Sequence, residues 1–177
     1  MTFKDEIRRS MRRLNAGLPA ECRAAASKAI FEAVERLPRF RTARTVALFA
    51  ALPDEPDTQL ALARWSVRRR VVLPRVEGDA MEFYDYRPGC LAPGAFGIAE
   101  PQPDTICAAS EIDVAICPGA AFTADGRRLG RGRGYYDRYL SRPDFGGFRV
   151  GVCYAHQLVE ELPAEPHDVR MDAVVSH

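Results

Sequence analysis

The chain has 177 residues, of which 47% are apolar and 28% are charged, and its formal net charge is +1. These values are typical of one folded globular domain and exclude an intrinsically disordered chain. Because the net charge is close to zero, no overall field favours nucleic acid or a membrane surface, and any binding of anions has to be local.

The N-terminal third of the sequence predicts two helices and a buried strand. In the first helix, apolar residues recur at steps of three and four, and basic residues occupy the opposite face (Phe3, Ile7, Met11, Leu14 and Leu18 against Lys4, Arg8, Arg9 and Arg12). Gly17 and Pro19 end this helix, and a second is predicted from about Pro19 to Leu37. Residues 45–50 form a continuous apolar run, which is typical of a strand buried on both faces.

Short strands and helices alternate along the rest of the chain. The predicted helices cover residues 58–69 and 135–141, and the predicted strands cover 71–73, 81–86, 113–117, 148–153 and 172–176. We expect Pro74 to close the first of these strands, residues 81–86 to form an edge strand, and 87–110 to be irregular. The alternation predicts a single α/β domain over residues 1–177, with three layers and a mostly parallel sheet flanked by helices.

The N-terminus and the cysteines point to the cytoplasm. The first residues lack the apolar region of a signal peptide, Asp5 and Glu6 argue against a mitochondrial presequence, and no apolar run reaches the ~20 residues of a membrane span. The five cysteines are scattered and odd in number, which favours reduced thiols over a disulfide framework or a zinc site. We therefore predict a cytoplasmic protein with no membrane partner.

Residues 126–134, which we call the glycine–arginine loop, carry the strongest functional pattern. Glycines at 126, 130, 132 and 134 alternate with arginines at 127, 128, 131 and 133, and Tyr135-Tyr136-Asp137 follows directly. Backbone N–H groups in a glycine-rich turn form a concave anion site. A guanidinium group adds two parallel hydrogen bonds to phosphate oxygens. An acid at the end of the loop suits a metal ion that accompanies phosphates. The pattern predicts a polyphosphate site at the carboxyl edge of the sheet, where ligands of such folds bind.

Two common phosphate motifs do not explain this loop. It lacks the Gly-Lys-Ser/Thr ending of a Walker motif, and no ribose-binding acid follows at the distance expected of a dinucleotide fingerprint. On composition alone, a solvated arginine loop or an RNA-contacting patch of the Arg-Gly type stays open. The aromatic residues that follow favour a structured site, because a flexible basic tail does not normally run straight into a helix start.

The loop and its flanks read Pro118-Gly119-x-x-Phe122, then Gly126-x-Arg128-Leu129-Gly130-x-Gly132-x-Gly134-Tyr135-Tyr136-Asp137-x-Tyr139-Leu140. This pattern closely resembles the signature of the 5-formyltetrahydrofolate cyclo-ligase family. The resemblance extends over most of the chain, through Lys4-x-x-x-Arg8, Asp54-Glu55-x-Asp57-Thr58, Leu73-Pro74-Arg75, Phe96-Gly97-Ile98-x-Glu100-Pro101, Glu165-Pro166-His167-Asp168 and Asp172. It implies a Rossmann-like fold of the kind found in sugar-phosphate isomerases and CoA transferases.

The resemblance also implies an activity and the residues that perform it. Members of the family use ATP and Mg²⁺ to close 5-formyltetrahydrofolate into 5,10-methenyltetrahydrofolate, through a phosphorylated formyl oxygen, with release of ADP and phosphate. By similarity, ATP would contact Lys4, Arg8, Arg128, Leu129, Gly130, Arg131, Gly132, Arg133, Gly134, Tyr135 and Tyr136. The folate substrate would contact Glu55, Arg131, Gly132, Arg133, Gly134 and Tyr135. Mg²⁺ would be held by Asp137 and Asp172, and the catalytic group would be Arg131, Arg133 and Asp137.

One departure from the family pattern bears on the role of the loop. The family often has lysine or glycine at position 133, where this chain has Arg133. Arginine does not act as an acid or base, so we expect Arg133 to stabilise phosphoryl charge. His167 is expected to make a structural hydrogen bond and not to act as a base.

Plain alternatives exist for several other residues. Lys4 and Arg8 could form a solvated basic face, Asp137 could satisfy a helix start, and Asp172 could be a turn residue. The expected partners are ATP and the folate, with no nucleic acid and with the chain as a monomer. A sugar-phosphate- or CoA-handling enzyme and a non-catalytic folate- or RNA-binding module are the alternatives.

Overall fold

The computed structural model describes residues 2–102, 105–163 and 165–177. Within these ranges the α-helices are α1 (Phe3–Gly17), α2 (Ala20–Arg36), α3 (Pro38–Thr42), α4 (Gln59–Trp65) and α5 (Tyr135–Leu140). Thr2 and Asp5 form a capping box at the start of α1, in which each side chain accepts the other's backbone N–H. Leu37 is extended, as expected for a residue before proline, and it separates α2 from the short α3, which the sequence patterns did not predict.

The strands of the described ranges are β1 (Thr45–Ala47), β2 (Arg70–Glu77), β3 (Ala80–Asp85), β4 (Leu91–Pro93), β5 (Ala99–Pro101), β6 (Ile106–Cys107), β7 (Val114–Cys117), β8 (Ala121–Phe122), β9 (Arg128–Leu129), β10 (Phe148–Cys153) and β11 (Ala173–Ser176). Seven of them form one sheet in the order β11-β10-β7-β1-β2-β3-β6. The first five strands in this order are parallel, and β3 and β6 pair in antiparallel fashion. The predicted mostly parallel sheet is confirmed.

Three details of the strand prediction are wrong. Pro74 does not close β2, which continues to Glu77. Strand β1 ends opposite Val72, so β2 has a neighbour on one side only at Pro74, and the missing N–H of proline is tolerated there. Strand β3 is not an edge, because β6 pairs along its free side. The segment 87–110 contains the β4–β5 hairpin and β6, and its residues 103 and 104 lie outside the described ranges.

Alternate residues of the strands enter two different cores. On one face the sheet packs against α2, α3 and α4, in a cluster that contains Val46, Leu73, Ile116, Val152 and Trp65. On the other face it packs against α5, in a cluster that contains Ala47, Val72, Ala115, Cys117 and Leu140. Because successive strand residues point to opposite faces, this alternation places helices on both sides of the sheet and gives one α/β domain with three layers.

Helix α1 packs near the carboxyl edge of the sheet through a smaller apolar cluster. Ile7 and Met11 are half-buried against Ala121, Leu129 and Leu162. The apolar face predicted for α1 is only partly right, because Phe3 and Leu14 are 65% and 49% exposed. The residue that α1 buries fully is the polar Asn15. Among the helices of the described ranges, none is both long and apolar enough to cross a membrane.

Candidate active site

A cavity of about 660 Å³ lies at the carboxyl edge of the parallel strands. Segments far apart in sequence line it: the start of α1, the chain after β1, strand β2, the β4–β5 hairpin, residues 128–137 and residues 165–168. The volume is that of a small-molecule site. Ligands of open α/β sheets bind at this edge, so the cavity lies where the sequence pattern predicted a phosphate site.

The glycine–arginine loop is folded back on the domain. Strands β8 and β9 form a hairpin that the sequence patterns did not predict, and the side chains of Arg128 and Leu129 are buried within it. Gly126 has a φ of 92°, and a Cβ at this position would lie 2.2 Å from the carbonyl oxygen of Met171. Only glycine fits such a contact with backbone. The first part of the loop is therefore structural, and the interpretation as a flexible solvated loop does not hold for it.

Arg128 and Asp137 form a buried ion pair beneath the cavity. One guanidinium nitrogen of Arg128 lies 3.0 Å from a carboxylate oxygen of Asp137, and their side chains are 3% and 14% exposed. The other oxygen of Asp137 accepts the backbone N–H of Val169 at 3.2 Å. The guanidinium also lies 5.3 Å from the centre of the Tyr136 ring. Because its charge is already compensated, Arg128 serves first to position Asp137.

Arg131 bridges the loop to the turn after β1. Its guanidinium lies 2.7 Å from an oxygen of Asp54 and 2.9 Å from an oxygen of Glu55. Burial raises the pKa of Glu55, and the charge of Arg131 opposes this shift without cancelling it. The second oxygen of Glu55 accepts the N–H of Leu52 at 2.9 Å. Two predicted ligand-binding residues, Glu55 and Arg131, are thus brought together and held as a pair.

Arg133 differs from the other arginines of the glycine–arginine loop in its ion pairs. Among the described residues no carboxylate lies within ion-pair distance of it, whereas the other three loop arginines (Arg127, Arg128 and Arg131) all have one. Its guanidinium lies 5.2 Å from the centre of the Phe96 ring at the cavity wall. With three arginines compensated, the loop is not a broad basic patch, and this argues against the RNA-contacting interpretation.

Lys4 and Arg8 do not form a solvated basic face, since their side chains are only 16% and 19% exposed. The ammonium of Lys4 lies 3.0 Å from Glu165 and 3.3 Å from Asp168. Burial lowers the pKa of Lys4, but its hydrogen bonds with the two carboxylates outweigh this effect and raise it. Nε of Arg8 donates to the carbonyl of Gly130 at 2.9 Å. Both cations therefore point into the cavity region, and Arg8 ties α1 to the loop.

The two aspartates predicted to hold Mg²⁺ have different surroundings. Asp137 lines the cavity, whereas Asp172 is not among its lining residues in the described ranges. The carboxylate of Asp172 accepts the N–H of Arg149 at 2.8 Å and joins β10 to the chain before β11. Burial raises the pKa of the Cys117 thiol to about 12, and both carboxylates add to this shift. Both aspartates thus act on one thiol, but only Asp137 offers its carboxylate to the cavity.

A second group of possible metal ligands consists of Glu165, His167 and Asp168, whose ligand atoms lie within 4.8 Å of one another. The ammonium of Lys4 already binds both carboxylates of this group. His167 is 70% exposed and its Nε2 lies 3.1 Å from Glu165. His167 also lines the cavity, and its role as a structural contact stays a prediction.

Phe96 is a cavity residue to which the sequence patterns gave no role. It is 56% exposed and has a φ of 57°, the only positive φ among non-glycine residues of the described ranges. Its ring lies 6.4 Å from that of Tyr135, and both residues line the cavity. Strained backbone at an exposed aromatic residue is typical of ligand sites. The signal available in the sequence was the family motif that begins at Phe96.

The turn that carries Asp54 and Glu55 is supported from below by a polar network. The amide nitrogen of the buried Asn15 donates to the carbonyl of Asp54 at 2.8 Å, and its oxygen accepts from Nε2 of His156. The hydroxyl of Tyr154 donates to the carbonyl of Glu55 at 3.0 Å. These bonds explain why α1 buries an asparagine, and they fix the position of the carboxylates that hold Arg131.

We expect His156 to make stability depend on pH. Burial lowers the pKa of His156 below its ordinary 6.5. Below about pH 6.5 the unfolded chain binds a proton at His156 more readily than the folded chain does. The free energy of unfolding therefore decreases as the pH is lowered. In urea denaturation at pH 7.5, 6.5 and 5.5, the His156→Gln variant should start about 1 kcal/mol less stable but lose less on acidification than the wild type. Parallel curves for the two proteins would contradict this assignment.

Comparisons with known proteins give one consistent result. The model of the 5-formyltetrahydrofolate cyclo-ligase family matches residues 1–177. The 5-formyltetrahydrofolate cyclo-ligase of Mycolicibacterium smegmatis is 37% identical over 147 residues, which are 75% of this chain and 73% of that protein. The Escherichia coli K12 protein of the same name is 37% identical over 142 residues, 76% of this chain and 78% of its own.

Two solved structures share the fold. The NMR structure of Aquifex aeolicus 5,10-methenyltetrahydrofolate synthetase has a TM-score of 0.89 and 34% identity, covering 99% of this chain and 90% of its own. The Mycoplasma pneumoniae 5,10-methenyltetrahydrofolate synthetase has a TM-score of 0.79 and 24% identity, with 98% of each chain covered, and supports the fold alone.

Proposed function

Because the chain belongs to the 5-formyltetrahydrofolate cyclo-ligase family, we propose that it closes 5-formyltetrahydrofolate into 5,10-methenyltetrahydrofolate at the expense of ATP, with Mg²⁺ as the metal. The observation that carries the proposal is the position of Arg133. This guanidinium, which has no carboxylate partner in the part of the chain that the structure describes, lies where the glycine–arginine loop meets the aromatic wall at Phe96. A phosphoryl group and a flat ring system can therefore meet beside it.

The cavity has two sides of different chemistry. One side is formed by the loop and by α1, with Lys4, Arg8 and Arg133, and it suits polyphosphate. The other is formed by apolar residues after β1, on β2 and β3 and on the hairpin (Phe49, Leu52, Pro74, Val76, Met81, Phe96 and Ile98), and it suits a heterocycle. Two substrates bound on these sides would bring a terminal phosphate to a reacting group on the ring, which is the positioning that the reaction requires.

The proposed reaction has two steps. The formyl oxygen attacks the γ-phosphorus, a new O–P bond forms, the bond to the bridging oxygen breaks, and ADP leaves. N10 then attacks the activated carbon, a C–N bond forms, N10 gives up its proton, and phosphate departs with the electrons of the C–O bond. Arg133 stabilises the charge on the transferring phosphoryl group. Arg131 holds Glu55 in place against the folate substrate.

Asp137 is the residue of the cavity that fits a metal ion. Mg²⁺ takes one or two carboxylates and keeps water and phosphate oxygens as its other ligands, so one cavity carboxylate with a possible second at Asp172 is sufficient. Bound there, the ion would neutralise charge on the phosphates. The ion pair with Arg128 keeps the Asp137 carboxylate in position at the cavity.

The direct test supplies 5-formyltetrahydrofolate, ATP and Mg²⁺ and follows the absorbance of methenyltetrahydrofolate in the near ultraviolet. We expect product and ADP in equal amounts, and no ADP release without the folate. A folded protein that produces neither would overturn the proposal. ADP release that depends on a sugar phosphate or on CoA would favour the alternative enzyme class. The cytoplasmic location and the monomeric state stay predictions of the sequence.

Replacement of Arg133 by alanine is expected to lower kcat about 100-fold, because one charge-stabilising donor to the transferring group is lost. Stability should change by less than about 0.5 kcal/mol, since Arg133 is exposed and makes no ion pair among the described residues. Steady-state kinetics and thermal denaturation measure the two effects. Arg41→Ala, an exposed arginine of α3 at the opposite edge of the sheet, is the matched control. Equal kcat in both variants would remove the role assigned to Arg133.

A further inference from the structure

Glu100 differs from every other carboxylate that lines the cavity in the described ranges. Five of them have a cationic partner: Asp5 with Arg8, Glu55 with Arg131, Asp137 with Arg128, and both Glu165 and Asp168 with Lys4. Glu100 is only 7% exposed and has no such partner among the described residues. Its one hydrogen bond there is from the N–H of Val76 to Oε1 at 3.1 Å.

The second oxygen of Glu100 has no hydrogen-bond partner among the described residues, so it can accept a hydrogen bond from a ligand in the cavity. The side chain is held firmly. Glu100 lies in β5, which pairs with β4, and its carboxyl group packs so closely on Gly94 that a Cβ there would lie 2.3 Å from Oε2. The fold thus holds an acid that has no cationic partner among the described residues at a fixed place in the cavity wall, and its second oxygen is free to bind a ligand.

The surroundings of Glu100 restrict that ligand. Its neighbours in the wall are apolar or aromatic (Val76, Met81, Phe96 and Ile98). A partner that fits has a flat face for these side chains and at least two N–H donors along one edge for the carboxylate, as in an amino-pyrimidine ring. The pterin ring of a folate carries such an edge, formed by N3–H and the 2-amino group.

We propose that Glu100 accepts the N3–H and 2-amino hydrogens of the pterin and thereby selects the folate substrate. The inference rests on the proposed function. Glu55 is less suited to the same contact, since Arg131 compensates its charge at one oxygen and the N–H of Leu52 binds the other, whereas Glu100 has no cationic partner among the described residues. Glu100 is therefore a specificity-determining residue in the wall that would bind the ring of the substrate.

The test compares 5-formyltetrahydrofolate with its analogue in which methyl replaces the 2-amino group. In the wild type we expect kcat/KM to be about 100-fold higher for the natural substrate, because a site built to accept a hydrogen bond rejects a ligand without the donor. Glu100→Gln keeps an oxygen for the N–H of Val76 but replaces the free acceptor by an amide nitrogen. It should reduce the preference to less than about 5-fold and leave KM for ATP unchanged.

Glu82→Gln is the matched control, since Glu82 pairs with Arg142 and does not line the cavity in the described ranges. It should keep the full preference. An unchanged preference in Glu100→Gln, or an equal loss for both substrates, would overturn the role of Glu100. If Glu100→Gln does not fold, Glu100→Asp keeps the charge but withdraws it by one methylene, and its preference should also fall. If the wild type shows no turnover, the proposed function fails, and calorimetric binding of the two folates still decides the role of Glu100.

Discussion

The Asp137→Asn variant is expected to lose about 1000-fold in kcat, the largest effect on activity in this chain. Asparagine keeps the shape of the side chain and an oxygen for the N–H of Val169, but it removes the charge that would bind Mg²⁺. The same change leaves Arg128 as a buried cation without its partner. We therefore also expect the free energy of unfolding to fall by about 3 kcal/mol.

These two effects of Asp137→Asn can be separated by experiment. Urea denaturation gives the loss of stability, and kinetics at a temperature where the variant is fully folded gives the loss of activity. The Mg²⁺ concentration for half-maximal rate should rise, which a purely structural change would not produce. Asp144→Asn breaks an exposed pair with Arg142 and is expected to change neither quantity measurably. A variant with kcat within 5-fold of the wild type would remove Asp137 from the metal site.

Gly126→Ala is expected to have the largest effect on stability, a loss of about 4 kcal/mol. Alanine would have to adopt a φ of 92° and would place its Cβ 2.2 Å from the carbonyl oxygen of Met171. That oxygen belongs to backbone, which cannot rotate away. The strand-like contact in which the N–H of Met171 donates to the carbonyl of Gly126 at 2.7 Å would open as well.

Gly146→Ala provides the control for this substitution. Gly146 does not have a positive φ, and no atom lies within 4 Å of the position of its Cβ. We expect a change of less than about 1 kcal/mol, in either direction. Thermal and urea denaturation of the two variants measure the difference. If Gly126→Ala were as stable as Gly146→Ala, the close packing of the loop against residue 171 would be contradicted.

The sheet could be predicted from local patterns because its strands are short, apolar and buried on both faces. Residues 113–117 and 148–153 were predicted as strands and correspond to β7 and β10. The β4–β5 hairpin was missed because it has no alternating pattern and lies among prolines and glycines. Pro74 was misjudged for a different reason. Whether a strand tolerates proline depends on the neighbour it has at that residue, and this is a property of the sheet.

The candidate site also has features that the sequence could predict and features that it could not. Its cationic residues could be found from the glycine–arginine pattern and from the family resemblance, since they lie in one stretch and at one helix start. Which of these cations have a carboxylate partner could not be predicted. Arg128 and Arg131 are compensated by Asp137, Asp54 and Glu55, which other parts of the fold bring within 3.0 Å, whereas Arg133 has no carboxylate partner among the described residues. Glu100 stood in the family motif but received no role, and Asn15 was missed, because the sequence does not show which polar residues are buried.

The contact between Lys4 and Asp168 joins residues that are 164 positions apart. During synthesis on a ribosome, α1 emerges first, and its partner Asp168 follows 164 residues after Lys4. ATP affinity should therefore arise late, when residues 165–168 leave the exit tunnel, and not gradually as strands are added. A nascent chain stalled before residue 165 would hold the glycine–arginine loop and yet lack one wall of the cavity.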